Sequence, residues 1–487
     1  MVTDPLKILF VASEVEGFAK TGGLADVARA LPLSLAERGH EVIVVMPYYK
    51  TMKHREKATL IASSQLPAAA SEPLPYNIFS LQSEGLTLYL IDCPRYFERE
   101  QLYAENNHAY DDNGARFAFF CAAALHACEV THFRPDIVHC NDWHTGLVPM
   151  LLRTRYAASP TFAGTRSVLS IHNAAFQGIF DRQQLWAVPE VLEQIHRLGL
   201  LDLSTINFLK CGVAFADKIN AVSPNYAQEL LTHLGAHGMA QVFQTRQADL
   251  CGILNGCDYR DWDPANDHYL PATYSVDDLA GKAVCRRQLQ QELGLPEEPV
   301  AIYGMVCRLT EQKGVPLLLP ALEKFLHHRV QVVVVGTGDP LLAQQLTQLA
   351  ARYPQRLVFL NTYDNRLAHL VEAGADFFLM PSLFEPCGLN QMYSLAYGTL
   401  PLVRAVGGLK DTVVDLDKDP QRATGFSFVE PNSGALLDAM RRSLLFFLQE
   451  PEDFARVQRN AMQTRFCWET SVKEYESMYR TALAEPS

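Results

Sequence analysis

Lysine, threonine and two glycines follow one another in "GFAKTGGLAD", Gly17 to Asp26, just after the apolar run "KILFVA". Gly22 and Gly23 leave bare backbone where a strand would turn into a helix, and Lys20 sets a positive charge beside it. Unpaired N–H groups and the helix dipole attract anions at such a place. A plain turn and a phosphate cradle are both open readings. The Walker A order fails, because the lysine precedes the glycines. The dinucleotide pattern G-x-G-x-x-G fails here and at "GTGDPL", where Leu341 stands at the third glycine position.

Two further clusters share this form. "CRLTEQKG" sets Arg308 and Lys313 after an apolar run, and with Lys20 they would neutralise a diphosphate; the alternative is a solvated helix start. "SLFEPCGLNQ" places Glu385 before Pro386, a residue suited to a first helical turn, and before Cys387, Gly388 and Leu389. A glutamate there would stabilise positive charge developing on a sugar while nearby N–H groups hold a leaving phosphate. "AVGGLKD", Val406 to Asp411, repeats the glycine arrangement of the opening loop. "HCNDWHTG" offers His139, Asp142 and His144, and "SIHNAAFQG" offers His172 and Asn173, where a lone histidine is more often structural. "ILNGCD" adds Asn255 and Asp258. The triplets "DWD" at Asp261 and "DLD" at Asp415 read as solvated turns, so no catalytic metal is expected.

These residues need a scaffold that presents loops at strand ends. Leu24, Val27, Ala28, Leu31 and Leu35 recur at helical spacing between "KILFVA" and "EVIVVMP", a βαβ unit in which Pro32 is expected to kink or split the helix. Apolar runs and helical patterns alternate onward through "LTLYLID", "RFAFFCAAALHACEV", "DIVHC", "SVLSIH" and "KINAV", which predicts a parallel sheet covered on both faces. The turn-rich "GILNGCDYRDWDPANDHYLP" interrupts this and marks a boundary. The alternation then restarts at "AIYGMVCRL". The expected class is α/β, with two doubly wound Rossmann-like domains, 1–257 and 258–487, facing across a cleft, and with the last helix free to pack back on the first domain.

Composition removes several function classes. Of 487 residues, 48% are hydrophobic and 20% charged, and the net charge of −12 argues against a nucleic-acid surface. Eleven cysteines without a C-x-x-C pair read as buried apolar residues or free thiols. The stretch "FAFFCAAALHAC" is shorter than the roughly 20 residues that span a bilayer, and no signal-peptide pattern opens the chain. A cytoplasmic protein without membrane contact is expected.

Taken together, "SEV", "KTGGLADV", "DNGARFAFF", "HCNDWHTGL", "SIHNAAFQG", "AVSPNYAQE", "GILNGCD", "CRLTEQKG", "PSLFEPCGLNQ" and "YGTLPLVRAVGGLKDTV" resemble the bacterial glycogen synthases and plant starch synthases. The resemblance implies a GT-B fold and a retaining hexosyltransferase of glycogen biosynthesis. Such an enzyme takes ADP-glucose and an α-1,4-glucan as partners and needs no cofactor. It implies that Lys20, Gly22 and Gly23 lie by the donor's phosphates and sugar, and that Arg308 and Lys313 bind the diphosphate. Glu385 would lie by the transferred glucose, with His172 and Asp142 contacting it from the opposite domain. Asn255 would lie by the donor, Tyr363 would pack on the adenine, and Cys387, Gly388 and Leu389 would complete the donor site. Tyr393 stands where many related retaining transferases carry a second glutamate. The alternatives are a transferase with another donor or acceptor, a noncatalytic glucan-binding protein, and a nicotinamide oxidoreductase, which the missing glycine disfavours.

Overall fold

A computed structural model describes residues 4–66, 73–106, 108–197, 201–202 and 204–485. The chain forms two units. Met1–Val222, Ala227–Asn255 and Trp468–Ser487 make one, and Ser223–Tyr226 with Gly256–Cys467 make the other.

The first unit is built on runs of apolar residues that strand geometry turns alternately to opposite faces. The strands of its main sheet are β1 (Lys7–Val11), β2 (Glu41–Pro47), β3 (Thr59–Leu66), β4 (Leu74–Ser83), β5 (Leu86–Asp92), β6 (Ile137–Asn141), β7 (Arg166–Ile171), β8 (Lys218–Ala221) and β9 (Leu250–Gly252). They line up in the order β9-β8-β7-β6-β1-β2-β5-β4-β3. All neighbours run parallel except β3 with β4 and β4 with β5. This antiparallel edge adds to the expected parallel sheet two strands that the alternation of apolar runs did not predict. β3 is largely exposed and β4 alternates buried with partly exposed residues, so neither shows the continuous apolar run of a doubly covered strand. The order reverses between β1 and β6, the place where open sheets of this kind bind ligands.

Between β1 and β2 a single helix runs Gly23–Glu37, with Leu24, Val27, Ala28, Leu31 and Leu35 buried. Pro32 lies inside it and does not split it, because its ring is itself buried and packing outweighs one missing backbone hydrogen bond. The terminal helix Trp468–Ala484 belongs to this unit for a polar reason. His139, Ser170 and Asn220, on β6, β7 and β8, are fully buried and need partners. Tyr479 bonds to His139 Nδ1 at 2.6 Å, and Asn220 donates to the Tyr475 hydroxyl at 2.9 Å. Glu476 accepts two bonds from Arg38 and one from His40.

The second unit has strands β10 (Ala301–Val306), β11 (Val330–Val335), β12 (Leu357–Leu360), β13 (Phe377–Met380), β14 (Leu400–Arg404) and β15 (Phe426–Phe428). Their order is β12-β11-β10-β13-β14-β15 and every pair is parallel. Side chains of one strand divide between two cores. Tyr303, Val332, Val334 and Phe377 enter one, while Ile302, Val333, Val335 and Phe378 enter the other. The sheet is therefore covered on both faces, and its order reverses between β10 and β13.

Candidate functional site

In the first unit the opening loop follows β1 at the reversal point. Its N–H groups are already engaged by a residue the sequence reading did not single out, Glu14. This carboxylate is buried and accepts from the backbone N–H of Thr21, from that of Gly22 at 3.3 Å, and from the Thr21 hydroxyl at 3.0 Å. Burial raises its pKa above the ordinary carboxylate value, against the lowering effect of these bonds. The signal in the sequence was a glutamate three residues beyond an apolar strand, at the start of the loop. A Cβ built on Gly22 or Gly23 would meet nothing within 4 Å, so the glycines border open space. Lys20 is not a mobile charge, because its ammonium lies 2.6 Å from Glu16 and 2.7 Å from Asp26. Burial alone would lower its pKa, but Asp26 and Glu16 outweigh that and raise it.

Asp142 and His172 come together at the ends of β6 and β7. Asp142 holds φ at +55° and ψ at −172°, a conformation costly for any residue but glycine. Its Oδ1 accepts from the N–H of His172 at 2.7 Å and of Asn173 at 3.4 Å, and burial pushes its carboxyl up to about 7. The Asn141 amide donates to the Val11 carbonyl, which leaves its oxygen to accept from His172 Nε2 at 2.9 Å. His172 thus carries its proton on Nε2 and presents Nδ1 as an acceptor. Burial pushes it down to about 3, so it stays neutral and does not serve as a proton donor. Asn255 is buried, and its Oδ1 has no hydrogen-bond partner among the described residues.

His139 and His144 are structural. The first is bonded to Tyr479 and Ser170, and the second stacks on Trp143 with ring centroids 3.9 Å apart.

A pH dependence follows for Asp142. Its folded pKa lies near 7 and its ordinary value is 3.8, so its contribution to stability is complete below 3.8 and is lost as pH rises through 7. If the ionised form serves the reaction, the rate rises with pH through about 7, and Asp142→Asn removes that limb. Asparagine has nearly the same shape and the same backbone preferences as aspartate, so the exchange isolates the charge effect. Rate profiles of both proteins check this, and an unchanged acid limb in the variant would refute it.

In the second unit Arg308 and Lys313 follow β10, and Glu385 follows β13, on the two loops that flank the reversal of strand order. Lys313 Nζ lies 2.7 Å and 3.0 Å from the two carboxylate oxygens of buried Glu385. The Ser382 hydroxyl donates to the same carboxylate at 2.9 Å. Arg308 is exposed, and its guanidinium has no hydrogen bond or ion pair with the described residues. Cys387 is buried, Gly388 holds φ at +74°, and Leu389 begins the helix Asn390–Ala396. Tyr363 stands apart beyond edge strand β12 and is 82% exposed.

Other glycines serve packing. A Cβ on Gly407 would lie 1.8 Å from the Glu385 carbonyl oxygen, and one on Gly408 would lie 2.2 Å from that of Cys387. "AVGGLKD" therefore backs the Glu385 loop and does not repeat the open loop of the first unit. Asp415 is not a solvated turn residue; it is buried and accepts from the N–H groups of Asp417 and Ser427. Trp262 of the other triplet lies between His369 and Tyr393, at centroid distances of 3.7 Å and 4.1 Å. Tyr393 therefore serves a ring stack at the position where a second glutamate stands elsewhere. Among the described residues no cluster of His, Cys, Asp and Glu is arranged to hold a metal ion, and no helix is long and apolar enough to cross a membrane.

Residues 7–245 match the starch synthase catalytic domain, and residues 286–463 match the glycosyl transferases group 1 family. The chain is 70% identical to the glycogen synthase of Aeromonas salmonicida over 485 residues, which cover 99% of this chain and 100% of that one. The chain belongs to the glycogen synthase family. The family's Photobacterium profundum member is 55% identical over 480 residues, covering 98% of this chain and 94% of its own. The catalytic domain of starch synthase IV from Arabidopsis thaliana, solved bound to ADP and acarbose, superposes with a TM-score of 0.90 at 30% identity, covering 99% of this chain and 100% of that one. The family membership makes the chain a glycosyltransferase, and the two Rossmann-like units are those of the GT-B fold.

Proposed function

We propose that the chain transfers glucose from ADP-glucose to the nonreducing 4-hydroxyl of an α-1,4-glucan with retention of configuration, releasing ADP. The Lys313–Glu385 pair carries this reading, set beside an uncommitted Arg308 at the reversal point of a doubly wound sheet. Arg308 and Lys313 bind the diphosphate and Glu385 lies by the transferred sugar. Cys387, Gly388 and Leu389 line the donor site, and Tyr363 packs on the adenine. From the first unit, Lys20, Gly22 and Gly23 serve the phosphates and sugar. Asp142 and neutral His172 accept from sugar hydroxyls, and Asn255 meets the donor. Residues 1–257 form the acceptor side and 258–487 the donor side, and the enzyme works in the cytoplasm.

The C1–O bond to phosphate breaks as the bond from C1 to the acceptor's O4 forms on the same face. The acceptor's proton passes to the departing phosphate oxygen. Positive charge placed where negative charge grows on that phosphate is worth about 2 to 4 kcal/mol per contact. His172, neutral at working pH, takes no part in that proton transfer. The purified protein given ADP-glucose and glycogen is expected to release ADP and lengthen the glucan. Turnover on UDP-glucose with none on ADP-glucose would overturn the donor assignment.

A further inference from the structure

The segment Ser382–Leu389 has no regular secondary structure, so its carbonyl groups must be satisfied from outside. Six in succession are. Arg404 donates to Ser382 through Nε at 2.9 Å and to Leu383 through Nη2. Gln312 Nε2 donates to Phe384 at 3.2 Å, and the Gly408 N–H reaches both Glu385 and Pro386 at 3.1 Å. Gln391 Nε2 donates to Cys387 at 2.9 Å. The Leu383 N–H also bonds to the Gln312 carbonyl at 2.8 Å, which ties this loop to the one bearing Lys313.

Arg404 differs from the other donors. It ends β14, it takes the first two carbonyls of the segment, and its Nη1 reaches a third, that of Val429, at 2.9 Å. Three acceptors suit the fixed fork of a guanidinium and exceed what an ammonium on one stem can match in the same geometry. Ser382, whose carbonyl Arg404 holds, is also the residue whose hydroxyl reaches Glu385.

We propose that Arg404 is a positioning residue for glucosyl transfer, acting through Ser382 to fix the Glu385 carboxylate where Lys313 meets it. The proposal rests on the reading that Glu385 lies by the transferred sugar. Arg404 touches no reacting atom in this scheme. Its loss lets the start of the loop drift, and a small misplacement at the reacting centre is costly in rate.

The test uses full-length Arg404→Met, Arg404→Lys, Ser382→Ala and Glu385→Gln enzymes and the double variant Arg404→Met/Glu385→Gln, with kcat and KM for ADP-glucose and the Kd for ADP. Arg404→Met should lower kcat by about 30-fold while the ADP Kd moves less than about threefold, because Arg308 and Lys313 remain. Arg404→Lys should recover only part of this, and Ser382→Ala should lose about five- to tenfold. In the Glu385→Gln background, Arg404→Met should add no more than about twofold, since both act through one carboxylate. Should Arg404→Met fail to fold, Ser382→Ala carries the test, and wild-type kcat there overturns the proposal. A full additional loss in the double variant overturns it as well. Wild-type rate in Glu385→Gln overturns the donor-site reading and this proposal together; an impaired Glu385→Gln beside normal Arg404→Met and Ser382→Ala overturns this proposal alone.

Discussion

Lys313→Ala lowers kcat by about 10² to 10³, the range found when one charge-stabilising contact to a transition state is removed. The ammonium has two tasks in the proposed site. It meets the charge that grows on the leaving diphosphate, and it neutralises Glu385, whose oxygens lie 2.7 Å and 3.0 Å away. Glu385 is 7% exposed, so without Lys313 its charge is left buried with the Ser382 hydroxyl as a partner. The variant should therefore also melt below the parent enzyme, because removing one partner of a buried ion pair leaves the other charge uncompensated. Steady-state kinetics and thermal melts of the variant measure both effects. A kcat within about threefold of wild type would sink the role given to Lys313.

Gly22→Val and Gly408→Val are expected to fail in different ways. At Gly22 the backbone is extended, with φ at −155°, and a Cβ there meets nothing within 4 Å, so the fold has room for valine. Its melting temperature should stay within about 2 °C of wild type. Activity should fall by at least about tenfold, because side-chain atoms fill the space through which a ligand reaches bare backbone. At Gly408 a Cβ would lie 2.2 Å from the Cys387 carbonyl oxygen and 2.6 Å from its Cα. Valine must push the Glu385 loop aside, which should cost about 1 to 3 kcal/mol of stability along with the rate. Melting curves and kcat for both variants decide the matter. Normal activity in Gly22→Val would show that the open glycine is not a binding surface.

These two glycine pairs show how far the letters reach. "KTGGL" and "VGGLK" look alike, each a pair of glycines entering a helix after an apolar run, and local pattern gives no ground to separate them. Contact separates them: Gly22 and Gly23 border open space, whereas Gly407 and Gly408 sit against the carbonyls of Glu385 and Cys387. Residues 385 to 387 and 407 to 408 meet because β13 and β14 are neighbours in the sheet. Asp415 illustrates the same limit. Its triplet suggested a solvated turn, yet its carboxylate is buried and spent on the N–H groups of Asp417 and Ser427.

The sequence by itself determined two doubly wound α/β units, since continuous apolar runs alternating with helical patterns leave a parallel strand few other environments. It also determined that Lys20, Arg308, Lys313 and Glu385 lie on loops after strands, because those clusters directly follow apolar runs. Only the tertiary structure decided what each charge faces. Lys313 and Glu385 are 72 residues apart and become an ion pair because strand order reverses between β10 and β13. Lys20, read as a positive charge for a diphosphate, is held by Glu16 and Asp26, and the N–H groups beside it are taken by Glu14. Periodicity reports which face of an element is buried, whereas the partner of a charge depends on which strand ends the fold brings side by side.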